Sequence, residues 1–353
     1  MRDQLRSMKI RQQSFLANPL KINKFLIIIF LSLPTILLAE GGSEDTSKEF
    51  NPSELINHHI ADSHSWEIFH GMTVHLPIII YSDEKGLDIF SSANFYDHNK
   101  LVSYGEYEMD HEHITLNGEQ VMDLSLTKNV LFMLIDALIL ILVFTAVARG
   151  YKKNVGRAPK GIQAFFEPLI IFIRDDIAKD NIGKKYETFL PILLTIFFFI
   201  WFGNLLGLLP GGANMTGNIA TTLTLAVIVL IITLYSGRKT YWLHILDPLG
   251  KSMGWGGKIL LYLILWPVEI IGIFTKPFSL MVRLFANITA GHILILSILS
   301  LAFIFQSHVI GTVGALFATA MNMLELFVAL LQAYVFTLLS AMYFGSAVEE
   351  AHH

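Results

Sequence analysis

The chain has 353 residues, of which 53% are hydrophobic and only 15% charged, with a net charge of -4. That balance excludes an ordinary soluble globular protein and points to a polytopic membrane protein. Cysteine is absent, which excludes disulfides, thiolate metal sites and cysteine nucleophiles, and no G-x-x-x-x-G-K-[ST] run offers a P-loop for nucleotide.

Arg2, Arg6, Lys9, Arg11, Lys21 and Lys24 precede a short apolar run from Phe25 to Ala39, interrupted by Pro34. This is the pattern of a secretory signal over residues 1–39, with an uncleaved anchor as the competing reading. Residues 40–127 are polar and hold eight of the thirteen histidines. Val74 to Tyr81, Leu87 to Phe90 and Ile114 to Leu124 read as strands, and Asp83 to Gly86 as a turn. A small extramembrane, periplasmic region with short strands is expected here. Its histidines (His58, His59, His64, His70, His75, His98, His111 and His113) fit no metal-ligand spacing and read as solvated surface groups.

The membrane part is expected over residues 128–353. Val130 to Ala148 is a first span. Arg149, Lys152, Lys153, Arg157 and Lys160 follow it and mark a cytoplasmic loop. Ile162, Phe165, Phe166, Leu169, Ile170, Ile173 and Ile177 recur at helical spacing, as in an amphipathic helix lying on the cytoplasmic surface of the membrane. Phe189 to Leu209 is a second span, Pro210-Gly-Gly212 an outer turn, and Ile219 to Tyr235 a third span ending at Arg238 and Lys239. Ile259 to Phe305 and Thr312 to Phe344 are long apolar stretches separated by Gln306-Ser307-His308 and Gly311. The first would be about 70 Å long, so it must tilt steeply or bend, and Pro267 and Pro277 supply bends. The fold expected is an all-α polytopic membrane protein with about five membrane-embedded helices. The last two are long, steeply tilted and form a hairpin, which leaves the C-terminus in the cytoplasm.

Arg283 lies deep in the fourth span. An arginine cannot shed its charge, and burying that charge in hydrocarbon costs several kcal/mol (~3 by insertion scales) unless water or a carboxylate meets it. At helical spacing Asn287 shares its face, His292 points to the opposite face, and Glu269 falls near Arg283's face with Pro277 intervening. The last span adds Asn322, Glu325, Gln332, Thr337 and Ser340. Glu325 and Gln332 share a face, and a hairpin would let His292 meet Glu325. Asp136 stands apart in the first span, expected near the outer leaflet with water or opposite a lysine of another subunit.

Lys276-Pro-Phe-Ser-Leu-Met-Val-Arg283-Leu-Phe-Ala-Asn287-Ile-Thr-Ala-Gly-His292 resembles the signature of subunit a of F-type ATP synthases. Asn204-Leu-Leu-Gly-Leu-Leu-Pro210, Glu269, Leu331-Gln332-Ala-Tyr-Val-Phe336 and Pro159-Lys-Gly-Ile-Gln163 are similar to further family segments. The resemblance covers about residues 126–353. It implies that Arg283 is the essential arginine facing a ring of c subunits. It also implies that His292 and Glu325 act as a pair, in the order seen in mitochondrial members, and that Gln332 lies near the arginine. Gly207 and Asn218 stand where many relatives carry acids. The implied partners are the c-subunit ring, the b subunits of the peripheral stalk, the rest of the synthase and the lipid bilayer, with no nucleic acid. No cofactor or metal is implied, and the chain would not be an enzyme on its own. The proton pathway would use His292, Glu325, Gln332, Asn287, Glu269 and Asn218. The alternative is a secondary transporter with substrate bound at Arg283, for which the internal repeats usual in such proteins are missing.

Overall fold

The computed structural model describes residues 61–69, 72–97, 100–110, 112–209, 211–247 and 255–349. The expected signal segment, residues 1–39, lies outside them.

The first described residues build a small strand-rich region. Its strands are β1 (Ser65–Phe69), β2 (Met72–His75), β3 (Pro77–Ser82), β4 (Gly86–Ser91), β5 (Tyr96–Asp97), β6 (Lys100–Leu101), β7 (Tyr107–Asp110), β8 (His113–Leu116), β9 (Glu119–Gln120) and β10 (Met122–Asp123). β3 is the centre of an antiparallel sheet, with β4 on one side and β10 on the other; Ile79 faces Ile89, and Tyr81 faces Met122. β8 is likewise central between β7 and β9. Alternation sends Ile78 and Ile80 from the first sheet, and Tyr107, Met109, Ile114 and Leu116 from the second, into one core around Phe95. Each fully buried side chain of this kind contributes about 1.5–3 kcal/mol. The Asp83–Gly86 turn forms as expected, with Gly86 at φ 77. The expected strands Val74 to Tyr81 and Ile114 to Leu124 are each divided.

This region is tied to the first helix, α1 (Lys128–Lys153). Asp62 Oδ1 accepts from the Asn129 amide at 3.0 Å, and the Ser63 carbonyl accepts from the Lys128 amide at 2.8 Å. Helix amides that would otherwise lack partners are thus met from outside the helix. α1 runs five residues past Ala148, because lysine and arginine are good helix formers and favour a C-terminal turn.

α2 (Ile162–Phe172) continues through a wider π-helical stretch, Ile173–Lys179, and two short turns into α3 (Tyr186–Gly207). The amphipathic reading is modified here. Phe166, Ile173 and Ile177 are buried within the bundle, whereas Ile162 and Phe165 are exposed. α4 (Ile219–Ser236) and the short α5 (Lys239–Leu246) follow. α6 (Trp255–Phe305) has 51 residues and α7 (His308–Val348) has 41. The break between them lies at Gln306, φ 44, and Ser307.

Among the described residues, five stretches are long and apolar enough to cross a membrane: Lys128–Lys153, Ile162–Gly207, Ile219–Ser236, Leu261–Ala302 and His308–Val348. At about 1.5 Å per residue α6 spans roughly 77 Å, which a bilayer core of about 30 Å admits only with steep tilt or with ends outside. α7 returns antiparallel to α6, and its end is held where the Arg238 amide donates to the Ala347 carbonyl at 3.0 Å. The bundle core joins Leu193, Phe197 and Phe198 of α3, Val229 of α4, Leu280 and Leu284 of α6, and Ala333, Phe336 and Phe344 of α7. Lipid is as apolar as these side chains, so close fit rather than water exclusion holds such helices together, and small residues such as Ala333 and Ala341 serve it.

Candidate functional site

α6 and α7 carry most of the residues singled out from the sequence. Along α6, Leu280, Leu284, Ile288, Ile295 and Leu299 form a buried stripe at helical spacing. Arg283 and Asn287, one turn apart, lie on the exposed side. His292 is half-buried and faces α7, where its Nδ1 lies 3.4 Å from Glu325 Oε1. That is ion-pair range, beyond the usual hydrogen-bond limit of about 3.2 Å. Glu325 is only 4% exposed. Thr289, three residues before His292, is partly buried with its Oγ1 enclosed, and Asn322, three before Glu325, is buried. Among the described residues, Thr289 Oγ1, Asn322 Nδ2 and both Glu325 oxygens have no hydrogen-bond partner. Buried polar atoms of this sort are ordinarily met by water, so the place suits hydrated, proton-carrying chemistry.

Gln332 is buried on the inner stripe of α7, two turns from Glu325. Counting in opposite directions from the His292–Glu325 contact puts Gln332 within about one turn of Arg283's level. No carboxylate is ion-paired with Arg283 among the described residues. Glu269, partly exposed, stands about 21 Å from Arg283 along α6, toward the end that meets α5. His292 stands about 14 Å from Arg283 in the other direction. The structure therefore separates Glu269 from the His292–Glu325 pair, with Arg283 between them. Asn218 is the N-cap of α4, its Oδ1 accepting from the Ala220 amide at 2.8 Å.

Two placements were not visible in the sequence. Asp136 neither touches bulk water nor faces another subunit: it is 0% exposed, turned into the bundle beside Gly203 of α3. His64 is not a solvated histidine either. It is 3% exposed, with Nδ1 2.9 Å from Glu112 Oε2 and Nε2 3.0 Å from Asp123 Oδ2. Burial lowers the His64 pKa, but the hydrogen bonds to Asp123 and Glu112 outweigh it and raise the value to about 9. For Asp123, burial acts upward, and the bonds from His64 and Ser125 overcome it and bring the carboxyl to about 2.

Membrane-length apolar helices, with ionisable side chains gathered on a long terminal hairpin, define a polytopic membrane protein that holds polar groups within its helical part. Residues 130–345 match the family described as ATP synthase A chain, and residues 55–130 match a domain of unknown function, DUF8433. The chain is 48% identical over 232 residues to an ATP synthase subunit a of Chloroherpeton thalassium, covering 65% of this chain and 69% of that one. It is 40% identical over 313 residues to an ATP synthase subunit a 2 of Chlorobaculum tepidum, covering 88% of this chain and 77% of the relative. A subunit a 2 of Chlorobium luteolum is 40% identical over 310 residues, 85% of this chain and 79% of the relative. The chain belongs to the ATP synthase A chain family, which sets aside the secondary-transporter alternative.

Proposed function

We propose that this chain is the proton-conducting subunit a of an F-type ATP synthase, and that Arg283 couples proton flow to rotation of a c-subunit ring. The observation that carries this reading is the position of Arg283: a permanent cation on the outward face of a long apolar helix, with ionisable groups displaced from it in both directions. A cation there needs a carboxylate from outside the chain, and a ring of membrane carboxylates supplies one. His292 and Glu325, with Asn322 and Thr289, line a half-channel from the outer side. Glu269 lies toward the inner half-channel. Gln332 and Asn287 flank the arginine, and Asn218 belongs to the outer loop.

A ring carboxylate must be neutral to face lipid. A proton arriving past His292 and Glu325 neutralises one carboxylate, which turns into lipid. Another returns, meets Arg283 and releases its proton inward. The fixed charge of Arg283 favours the ionised carboxylate and blocks direct leakage between the half-channels. Each charge crossing 100 mV supplies about 2.3 kcal/mol, so several protons serve each ATP.

The subunit sits in the inner membrane with the strand-rich region in the periplasm and Glu349 in the cytoplasm, a reading supported by the basic cluster from Arg149 to Lys160. It works with the ring, the b subunits of the peripheral stalk and the rest of the synthase, and is not an enzyme alone. Arg283→Ala is expected to abolish ATP-driven proton pumping in inverted vesicles while the complex still assembles. Pumping at the wild-type rate would overturn the role of Arg283.

A further inference from the structure

Asp136 belongs to none of the roles above, yet it is among the most enclosed acids of the chain. It lies eight residues into α1, about 12 Å below the helix start, at the end of the bundle that carries the strand-rich region. Both carboxyl oxygens are buried without a hydrogen-bond partner among the described residues. A Cβ on Gly203 would stand 3.8 Å from Asp136 Oδ2, ordinary contact distance, and 2.2 Å from Met215 Cε, so Asp136 packs against α3 at a place where glycine makes room for Met215. The next residue, Asn204, is 3% exposed; its Oδ1 accepts from Thr216 Oγ1 at 2.5 Å, and its Nδ2 has no partner. Thr216 lies in the short helical turn Met215–Gly217, which is itself buried and packs against α1, α3 and α6. A polar loop is thus folded into the bundle between the helix that carries Asp136 and the helix that carries His292.

An isolated carboxylate in such surroundings costs several kcal/mol (~3 or more) unless a cation or a proton meets it. Among the described residues no cation is ion-paired with Asp136: α3 has no charged residue after Glu187, and residues 211–218 have none. The Asn204 amide, one residue on from Gly203 and without a partner among the described residues, calls for water.

We propose that Asp136, with Asn204 and Thr216, is a proton-binding station at the outer end of the bundle, through which protons pass before they reach the His292–Glu325 pair. The proposal rests on the proton-conducting reading above. A hydronium ion gives its proton to an Asp136 oxygen, one O–H bond breaking on the ion as another forms on the carboxyl group. A water further into the bundle then takes the proton, and the carboxylate is restored.

The test is passive proton flux through the membrane sector in vesicles stripped of the ATP-hydrolysing part. If the wild-type sector does not conduct, the reading of the chain as a proton conductor fails, and this proposal with it. If it conducts, Asp136→Asn, which keeps shape and hydrogen bonding but cannot titrate, is expected to lower the flux at least about tenfold, and Asp136→Glu to retain most of it. Wild-type flux in Asp136→Asn overturns this proposal alone. Equal loss in both variants marks a packing role and overturns it too. Should Asp136→Asn fail to assemble, the wild-type complex decides, treated with a hydrophobic carbodiimide and mapped by mass spectrometry. An adduct at Asp136 that fades as the outer pH is raised supports the station. No adduct, or one indifferent to pH, overturns it.

Discussion

Gly291 of α6 lies against the carboxyl group of Glu325 on α7: a Cβ built on residue 291 would stand 3.0 Å from Glu325 Oε1. The two helices therefore approach to glycine distance at the level of the His292–Glu325 pair. Gly291→Ala would displace the Glu325 head by a few tenths of an ångström. The variant is expected to assemble and to lower passive proton flux by up to about tenfold, as small misplacements of reacting groups do. Unchanged flux would mean that Glu325 yields without consequence.

The pair itself is open to an exchange experiment. His292→Glu and Glu325→His each place like groups face to face and are expected to cut passive flux about a hundredfold. The double exchange should recover a good part of it, because the contact is restored with its members swapped. A double-mutant cycle measures the coupling. Losses that simply add would show two independent residues.

The buried His64 ties the strand-rich region together in a pH-dependent way. Its pKa is raised in the folded chain from 6.5 to about 9, so its contribution is fully present below about 6.5 and is lost as pH rises through 9. Asp123 is lowered from 3.8 to about 2, so its contribution is present above 3.8 and is lost as pH falls through 2. Limited proteolysis of the full complex should find residues 61–126 best protected between these limits and more readily cut above pH 9. His64→Gln should be cut faster at neutral pH and lose the alkaline step. An alkaline step that persists in His64→Gln would place its origin elsewhere.

Orientation can be read chemically, because the chain has no cysteine of its own. Ser103 and Ser346 are both exposed. An impermeant maleimide should label Ser103→Cys in spheroplasts and Ser346→Cys only after lysis. Labelling of Ser346→Cys in intact spheroplasts would reverse the assignment.

The membrane helices are legible in the sequence because hydrocarbon makes one demand, long apolar runs with every backbone group bonded internally. Arg283, His292 and Glu325 are legible for the same reason, as ionisable groups stand out against an apolar background. The α6–α7 break is marked by Gln306-Ser307-His308, the polar interruption of that background. His64 and Asp136 are not legible, since their surroundings come from distant segments: Glu112 and Asp123 lie 48 and 59 residues beyond His64. The division of Val74 to Tyr81 is hidden too. Leu76 passes from one pairing to the next, its amide bonded to the His64 carbonyl in the β1–β2 register and its carbonyl to the Ser92 amide in the β3–β4 register. The apolar alternation continues across that point, so the pattern carries no mark of the change in partner.

Trp66 of β1 donates its indole N–H to the Gly211 carbonyl at 2.8 Å and sets its ring edge-on to Phe132 of α1, 5.3 Å between centroids. A turn at the tip of two helices is compliant by itself, and so is the free end of a third. One side chain here acts as a gusset between them. Sideways drag on the α3–α4 tip is borne by α1 as well, and the corner of the bundle that encloses Asp136 keeps its shape under load.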